Sequence, residues 1–164
     1  ATKNLSKIPI SWGKSYNTLK RRLTNKIRLD ISSLTVNDLE HNNGKFIIKG
    51  DNPSFNFTLN DFNISGLDAG ILVIDIDLFE LKGEPLFKLT YNSDNRNKNI
   101  SENYINFIAD SGFLIIPLDS QPRWLDIKKI QNINLLLENP EVINGFKINS
   151  IGLYQRKIFE ENDL

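Results

Sequence analysis

The run at residues 70–81, GILVIDIDLFEL, is the most apolar in the chain and limits what the rest can fold into. Side chains alternate across a strand with period two, so Leu72, Ile74, Ile76 and Leu78 share one face, and Ile71, Val73, Asp75, Asp77, Phe79 and Leu81 share the other. The first face is wholly apolar. The second is apolar at its ends and carries two carboxylates in its middle. A strand of this kind lays one side on a core and turns the other toward a partly wet, concave surface. It is expected to be the central strand of an antiparallel β-sandwich.

The flanking sequence supports that class. Residues 26–34 alternate through Ile27, Leu29 and Ile31. The polar stretch 37–44 ends in Asn42-Asn43-Gly44, a good turn. A short strand is expected at 45–49, broken by Gly50-Asp51-Asn52-Pro53. Residues 54–62 alternate with Phe55, Phe57 and Leu59 on one face and Asn56, Thr58 and Asn60 on the other. A loop at 63–69 leads into the central strand. Gly83-Glu84-Pro85 turns the chain, and residues 86–91 return it with Phe87, Leu89 and Tyr91 inward. Residues 92–103, NSDNRNKNISEN, are polar apart from Ile100 and read as a surface loop. Residues 104–109 and 112–118 read as a strand pair across Asp110-Ser111. Gln121-Pro122-Arg123-Trp124 begins an irregular stretch. A strand follows within 128–138, ended by Asn139-Pro140, and the last strand spans 145–157.

That last strand holds a conflict of phase. Phe146 and Ile148 share one parity, and Ile151 and Leu153 share the opposite one. All four reach one core face only if a residue is inserted, so a β-bulge is expected near Asn149-Ser150, with Tyr154 turned outward. Many short strands, few helical periods and Gly/Asn/Pro turns imply a sandwich, barrel or jelly roll.

The 164 residues suit one domain of about 26–158. Residues 159–164 form an acidic tail. Residues 1–25 form a basic extension or linker, with Lys3, Lys7, Lys14, Lys20, Arg21 and Arg22 and no acid before Asp30. Ser15 as cap and Tyr16, Leu19 and Leu23 at helical spacing predict a short helix at about 15–24. This arm reads either as a contact for an anionic partner or, preferably, as a solvated linker from a preceding domain. The absence of methionine, including a starter, implies a processed product or a piece of a longer protein.

Composition narrows the function. The formal net charge is zero, which gives no bulk attraction to nucleic acid or anionic membrane. No apolar run reaches the roughly 18–20 residues of a spanning helix. Cysteine is absent, and His41 is the only histidine. Nucleophile–base triads and zinc sites therefore have almost no material. His41 lies in a turn and reads as a solvated surface residue. About one residue in eight is asparagine, from which the sequons at Asn4, Asn56, Asn63 and Asn99 follow. Asparagine pairs readily with sugar hydroxyls, but coding bias is the preferred explanation of the enrichment.

Part of the pattern resembles a known family. Leu136-Leu137-Glu138-Asn139-Pro140 followed by Gly145-Phe146-Lys147-Ile148-Asn149-Ser150-Ile151-Gly152-Leu153 is similar to the closing hairpin of galactose-binding-like jelly rolls. Ile27-Arg28-Leu29-Asp30 with Asn43-Gly44-Lys45-Phe46-Ile47-Ile48 resembles the opening hairpin. The likeness covers about residues 26–156. It extends to carbohydrate-binding modules attached to bacterial glycosyltransferases and glycosidases. Glu138 and Leu136 stand where that family usually has Asp and Arg, so no ligand role carries over to that hairpin. The resemblance implies a non-catalytic accessory module that binds carbohydrate or positions a catalytic domain in the same chain. It implies no cofactor beyond a structural calcium, for which Asp94 and Asn95 are the candidate ligands. The compartment follows the parent enzyme: cytoplasmic with a glycosyltransferase, extracellular with a glycosidase. The alternative is a structural or oligomerisation module without sugar binding.

Sugar recognition needs an aromatic platform and a few fixed polar groups. Tyr91, Tyr104 and Trp124, together with Trp12 and Tyr154, are candidates for the platform, though Tyr91 and Trp124 taken singly read preferably as aromatics at the rim of the core. Asn92, Asp94 and Arg96 follow Tyr91 directly. Asp75 and Asp77 lie about 7 Å apart on one strand face, a spacing that would suit an inverting glycosidase, though a polar groove lining is the preferred reading.

Overall fold

The structure is a computed structural model that describes residues 8–9, 23–93, 104–121 and 123–156. Among the described residues there is no α-helix. Twelve strands run in chain order: β1 (Ile8–Pro9), β2 (Leu23–Leu29), β3 (Thr35–Asn37), β4 (Leu39–Asn42), β5 (Lys45–Ile48), β6 (Ser54–Thr58), β7 (Ile71–Phe79), β8 (Leu86–Ser93), β9 (Tyr104–Ile108), β10 (Gly112–Pro117), β11 (Ile130–Leu137) and β12 (Gly145–Arg156).

They form two six-stranded sheets. The first has the order β1-β9-β8-β11-β6-β3. The second has the order β10-β7-β12-β5-β4, with β2 also paired to β12. All pairs are antiparallel except β1 with β9. The inward rows of the two sheets make one core. Phe46 and Phe146 of the second sheet stack at 5.1 Å, and Phe146 meets Phe55 at 5.8 Å and Phe87 edge-on at 6.0 Å from the first. This aromatic knot ties the sheets together, each pair adding about 0.5–1.5 kcal/mol beyond its buried area.

The expected central strand is β7, with β10 on one side and β12 on the other. Leu72, Ile74 and Ile76 are at most 1% exposed and face the core. On its other face Ile71 and Val73 join Ile115 and Tyr154 in a second, smaller apolar cluster. Tyr154 therefore does point away from the main core.

The bulge is where the phase conflict requires it. Along β7, Ile148 opposes Ile76 and Ser150 opposes Asp75, which leaves Asn149 as the extra residue. Phe146, Ile148, Ile151 and Leu153 are all at most 2% exposed. The turn between β4 and β5 also matches its sequence. Asn43 (φ 52°) and Gly44 (φ 83°) supply the two positive φ angles of a two-residue hairpin. A Cβ on Gly44 would lie 2.9 Å from the Ile148 carbonyl oxygen, so side chains are excluded there twice over.

Several expectations need correction. The first long strand runs from Leu23 to Leu29 rather than over 26–34. Asp30 ends it: its Oδ1 accepts from the Ser32 backbone N–H at 3.0 Å and the Ser32 hydroxyl at 2.7 Å, which winds residues 31–33 into a 3-10 turn. These bonds hold the Asp30 carboxyl below the usual range. Of the helix expected at 15–24, residues 15–22 lie outside the described residues, and Leu23 and Thr24 belong to β2. The polar stretch 37–44 contains strand structure. Asp38 (φ 52°) switches the chain from β3 in one sheet to β4 in the other, and Leu39 is buried.

Neighbours in sequence are often not neighbours in a sheet. β9 pairs with β8 and β10 pairs with β7, so residues 104–118 form a corner between sheets and not a hairpin. The expected closing hairpin, β11 and β12, also spans the two sheets. In place of an opening hairpin, β2 and β5 lie end to end along one edge of β12.

Candidate functional site

The outward face of the first sheet is built from alternation alone. Since Phe55, Phe57, Phe87, Leu89, Tyr91, Ile133, Leu135, Ile105 and Phe107 point inward and are buried, their neighbours point out. The register aligns these neighbours into rows. One row crosses five strands as Thr35, Asn56, Asn134, Thr90 and Tyr104. The row beside it is Asn37, Ser54, Leu136, Lys88 and Asn106. A third places Asn132 between Thr58 and Asn92. Four interstrand steps make the longest row about 19 Å. Beyond the second row the face turns apolar with the half-buried pair Leu86 and Ile108. Lys88 is the only charged residue in the three rows, and its ammonium lies 4.7 Å from the centre of the Tyr104 ring. The Oδ1 of Asn106 is buried with no hydrogen-bond partner.

The second sheet carries a groove of about 780 Å3 at one end of its outer face. Its floor is the cross-strand row Ile47, Gly145 and Phe79. Lys45, Glu80, Pro140, Glu141 and Asn144 also line it. The Lys45 ammonium is 5.3 Å from the centre of the Phe79 ring. Asn144 Nδ2 donates to Glu80 Oε2. None of these residues was singled out as a ligand group by sequence. The groove exists because three distant strands meet there, and only the outward parity of Phe79 hinted at it.

The candidate ligand residues are scattered. Tyr91 is 3% exposed and Trp124 is fully buried, with the two rings edge-to-face at 4.7 Å. The Trp124 indole N–H donates to the Ala69 carbonyl at 2.8 Å. Neither ring presents a face to solvent, because Tyr91 has the inward parity of β8 and Trp124, in a 3-10 turn, finds its indole partner inside. Burial raises the pKa of the Tyr91 phenol, with Arg123 nearby opposing it, and its hydroxyl has no hydrogen-bond partner. Asn92 and Tyr104 lie on the amide-rich face of the first sheet. Asp75 and Asp77 lie on the outer face of the second. Asp77 is exposed and accepts from Asn149 Nδ2 at 3.1 Å, and Asp75 is half-buried beside Phe113 and Ser150 in the ladders. Asp94, Asn95 and Arg96 lie outside the described residues, as does Trp12. His41 is not a solvated residue. It is half-buried, stacks on Phe46 at 4.2 Å, and its Nε2 accepts the Gly44 N–H at 3.1 Å, so it braces the hairpin turn.

Among the described residues, no three His, Cys, Asp or Glu side chains converge as a metal site. No helix among them is long and apolar enough to cross a membrane. The chain matches no family model, no curated protein and no solved structure.

Proposed function

We propose that this chain is a non-catalytic accessory β-sandwich module that binds carbohydrate on behalf of a glycan-processing enzyme. The observation that carries the reading is the outer face of the first sheet. It is an array made mostly of amides and hydroxyls with one charge in thirteen positions, in a chain whose residues are 24% charged. Solvent-facing strands ordinarily carry charge. A coding bias toward asparagine does not account for this, since it favours lysine equally, and lysine occurs once here. Amides and hydroxyls both donate and accept, which suits neutral polyols, and the Tyr104 ring at the row's end supplies an apolar surface. The module's role in this reading is to hold or orient polymer for a separate catalytic domain.

Electrophoresis through gels containing soluble neutral polysaccharides tests this. The full chain is expected to be retarded by at least one, and Tyr104→Ala and Asn134→Asp are each expected to weaken the retardation about tenfold, a loss of one good contact. Unretarded migration in every gel would refute it.

One observation favours a structural module instead. Phe62, Leu67 and Leu125 are 50%, 58% and 44% exposed on loops. The backbone brings Leu67 and Leu125 together, because Gly66 packs on the Trp124 carbonyl and donates to Ile127. A stable dimer in light scattering, dissociated by Leu67→Ser with Leu125→Ser and combined with no polysaccharide retention, would establish that reading in place of the first.

A further inference from the structure

We infer that the groove over Gly145 is a second ligand site, which takes a single sugar-sized neutral polyol with one apolar face. Two independent observations lead to it. The first is its shape. Gly145 contributes no side chain, and Ile47 leans over it, its Cδ1 3.1 Å from where a Cβ would stand, so Ile47 and Phe79 form an apolar floor across the strand. The volume of about 780 Å3 lies within the range of small-molecule sites.

The second observation is strain. Among the described residues, four besides glycine have positive φ: Asp38, Asn43, Asn63 and Glu80. Asp and Asn adopt the left-handed region routinely, and glutamate does not. Glu80 is the exception, and it lines the groove with its carboxylate held by Asn144. Backbone strain at a residue whose carboxylate Asn144 fixes at the edge of the groove points to a use for that carboxylate.

The lining selects the class of ligand. Glu80 and Glu141 oppose an anion. Lys45, with its ammonium already over the Phe79 ring, occupies the place a cation would take. A wholly apolar ligand would desolvate three charged groups without replacing their hydrogen bonds. A neutral polyol satisfies all three: hydroxyls donate to the carboxylates and draw Lys45 off the Phe79 ring to donate to them, which leaves that ring to the sugar's C–H face. The choice of a sugar among polyols rests on the proposed glycan function. The location of the site does not.

The test is an amide-shift NMR titration of the full chain with glucose, galactose, mannose and N-acetylglucosamine, each taken to high millimolar concentration. At least one is expected to shift Ile47, Phe79, Glu80 and Asn144 amides together. Phe79→Ala and Glu80→Gly are each expected to weaken that response at least about tenfold. Glu80→Gly is the sharper variant, because glycine relieves the strain and the folded spectrum and melting temperature should be retained while binding is lost. Tyr104→Ala, on the other sheet, should leave the groove response intact. Absence of groove shifts with all four sugars, or an undiminished response in folded Glu80→Gly, overturns the inference. Polysaccharide retention by the amide-rich face would survive either result, so the two proposals fail separately.

Discussion

Deleting Asn149 is the most direct challenge to the account of how this sandwich is built. Between Gly145 and Tyr154, Asn149 is the one residue of β12 without a partner position on β7, and it lets both halves of the strand face the core. Without it, one half must shift by a residue, and a shift of one flips every side chain to the opposite face. If the later half flips, Ile151 and Leu153, both 0% exposed, move to the outer face. If the earlier half flips, Phe146 and Ile148, at 1% and 2%, do so. Either way two large apolar side chains leave the core, at about 1.5–3 kcal/mol each, so the deletion is expected to cost about 3–6 kcal/mol. That is comparable with the whole stability of a domain, about 5–15 kcal/mol. The control is Asn149→Ala, which keeps the extra residue and loses only the exposed bond to Asp77, at about 1 kcal/mol or less. Urea denaturation followed by tryptophan fluorescence measures both, because Trp124 lies in the core. A deletion variant within about 1 kcal/mol of the parent would refute the phase argument, since no register could then be burying two fewer core residues.

Other consequences are open to the same methods. Trp124→Ala is expected to cost about 3–5 kcal/mol in a urea melt followed by circular dichroism, because it empties a fully buried site and orphans the Ala69 carbonyl. Gly44→Ala should cost about 1–2 kcal/mol in a thermal melt, from its positive φ and the approach to Ile148. His41→Ala should cost a similar amount, about 1–2 kcal/mol, through the lost stacking on Phe46 and the unpaired Gly44 N–H. Tyr91 sets an alkaline limit: its pKa is raised in the folded state, so the fold binds this proton more tightly than the unfolded chain does. Stability from this source is complete below the ordinary phenol range, near pH 10, and falls as pH rises through the folded value. Tyr91→Phe is expected to remove that decline while leaving stability at neutral pH unchanged or slightly improved, because the hydroxyl has no partner to lose.

What the residues determined locally, they determined well. The alternation in β7, the inward sets of β6 and β8, the Asn43-Gly44 turn and the bulge at Asn149 are all readable in sequence, because side-chain period and turn stereochemistry act over a few residues. Strand partnership is different. Nothing local tells β9 to pair with β8, or β10 with β7, since that choice depends on which distant faces bury the most apolar surface together. The same applies to His41, which reads as a polar turn residue until Phe46 is placed beneath it. It applies also to Trp124, whose buried indole depends on a carbonyl 55 positions away. Both candidate surfaces lie on this non-local side. The amide rows require five strands in register, and the groove requires Ile47, Gly145 and Phe79 to become cross-strand neighbours. Tertiary pairing alone decides such adjacency, because the free energy that selects it is spread over the whole core and is not encoded at any one of the residues it brings together.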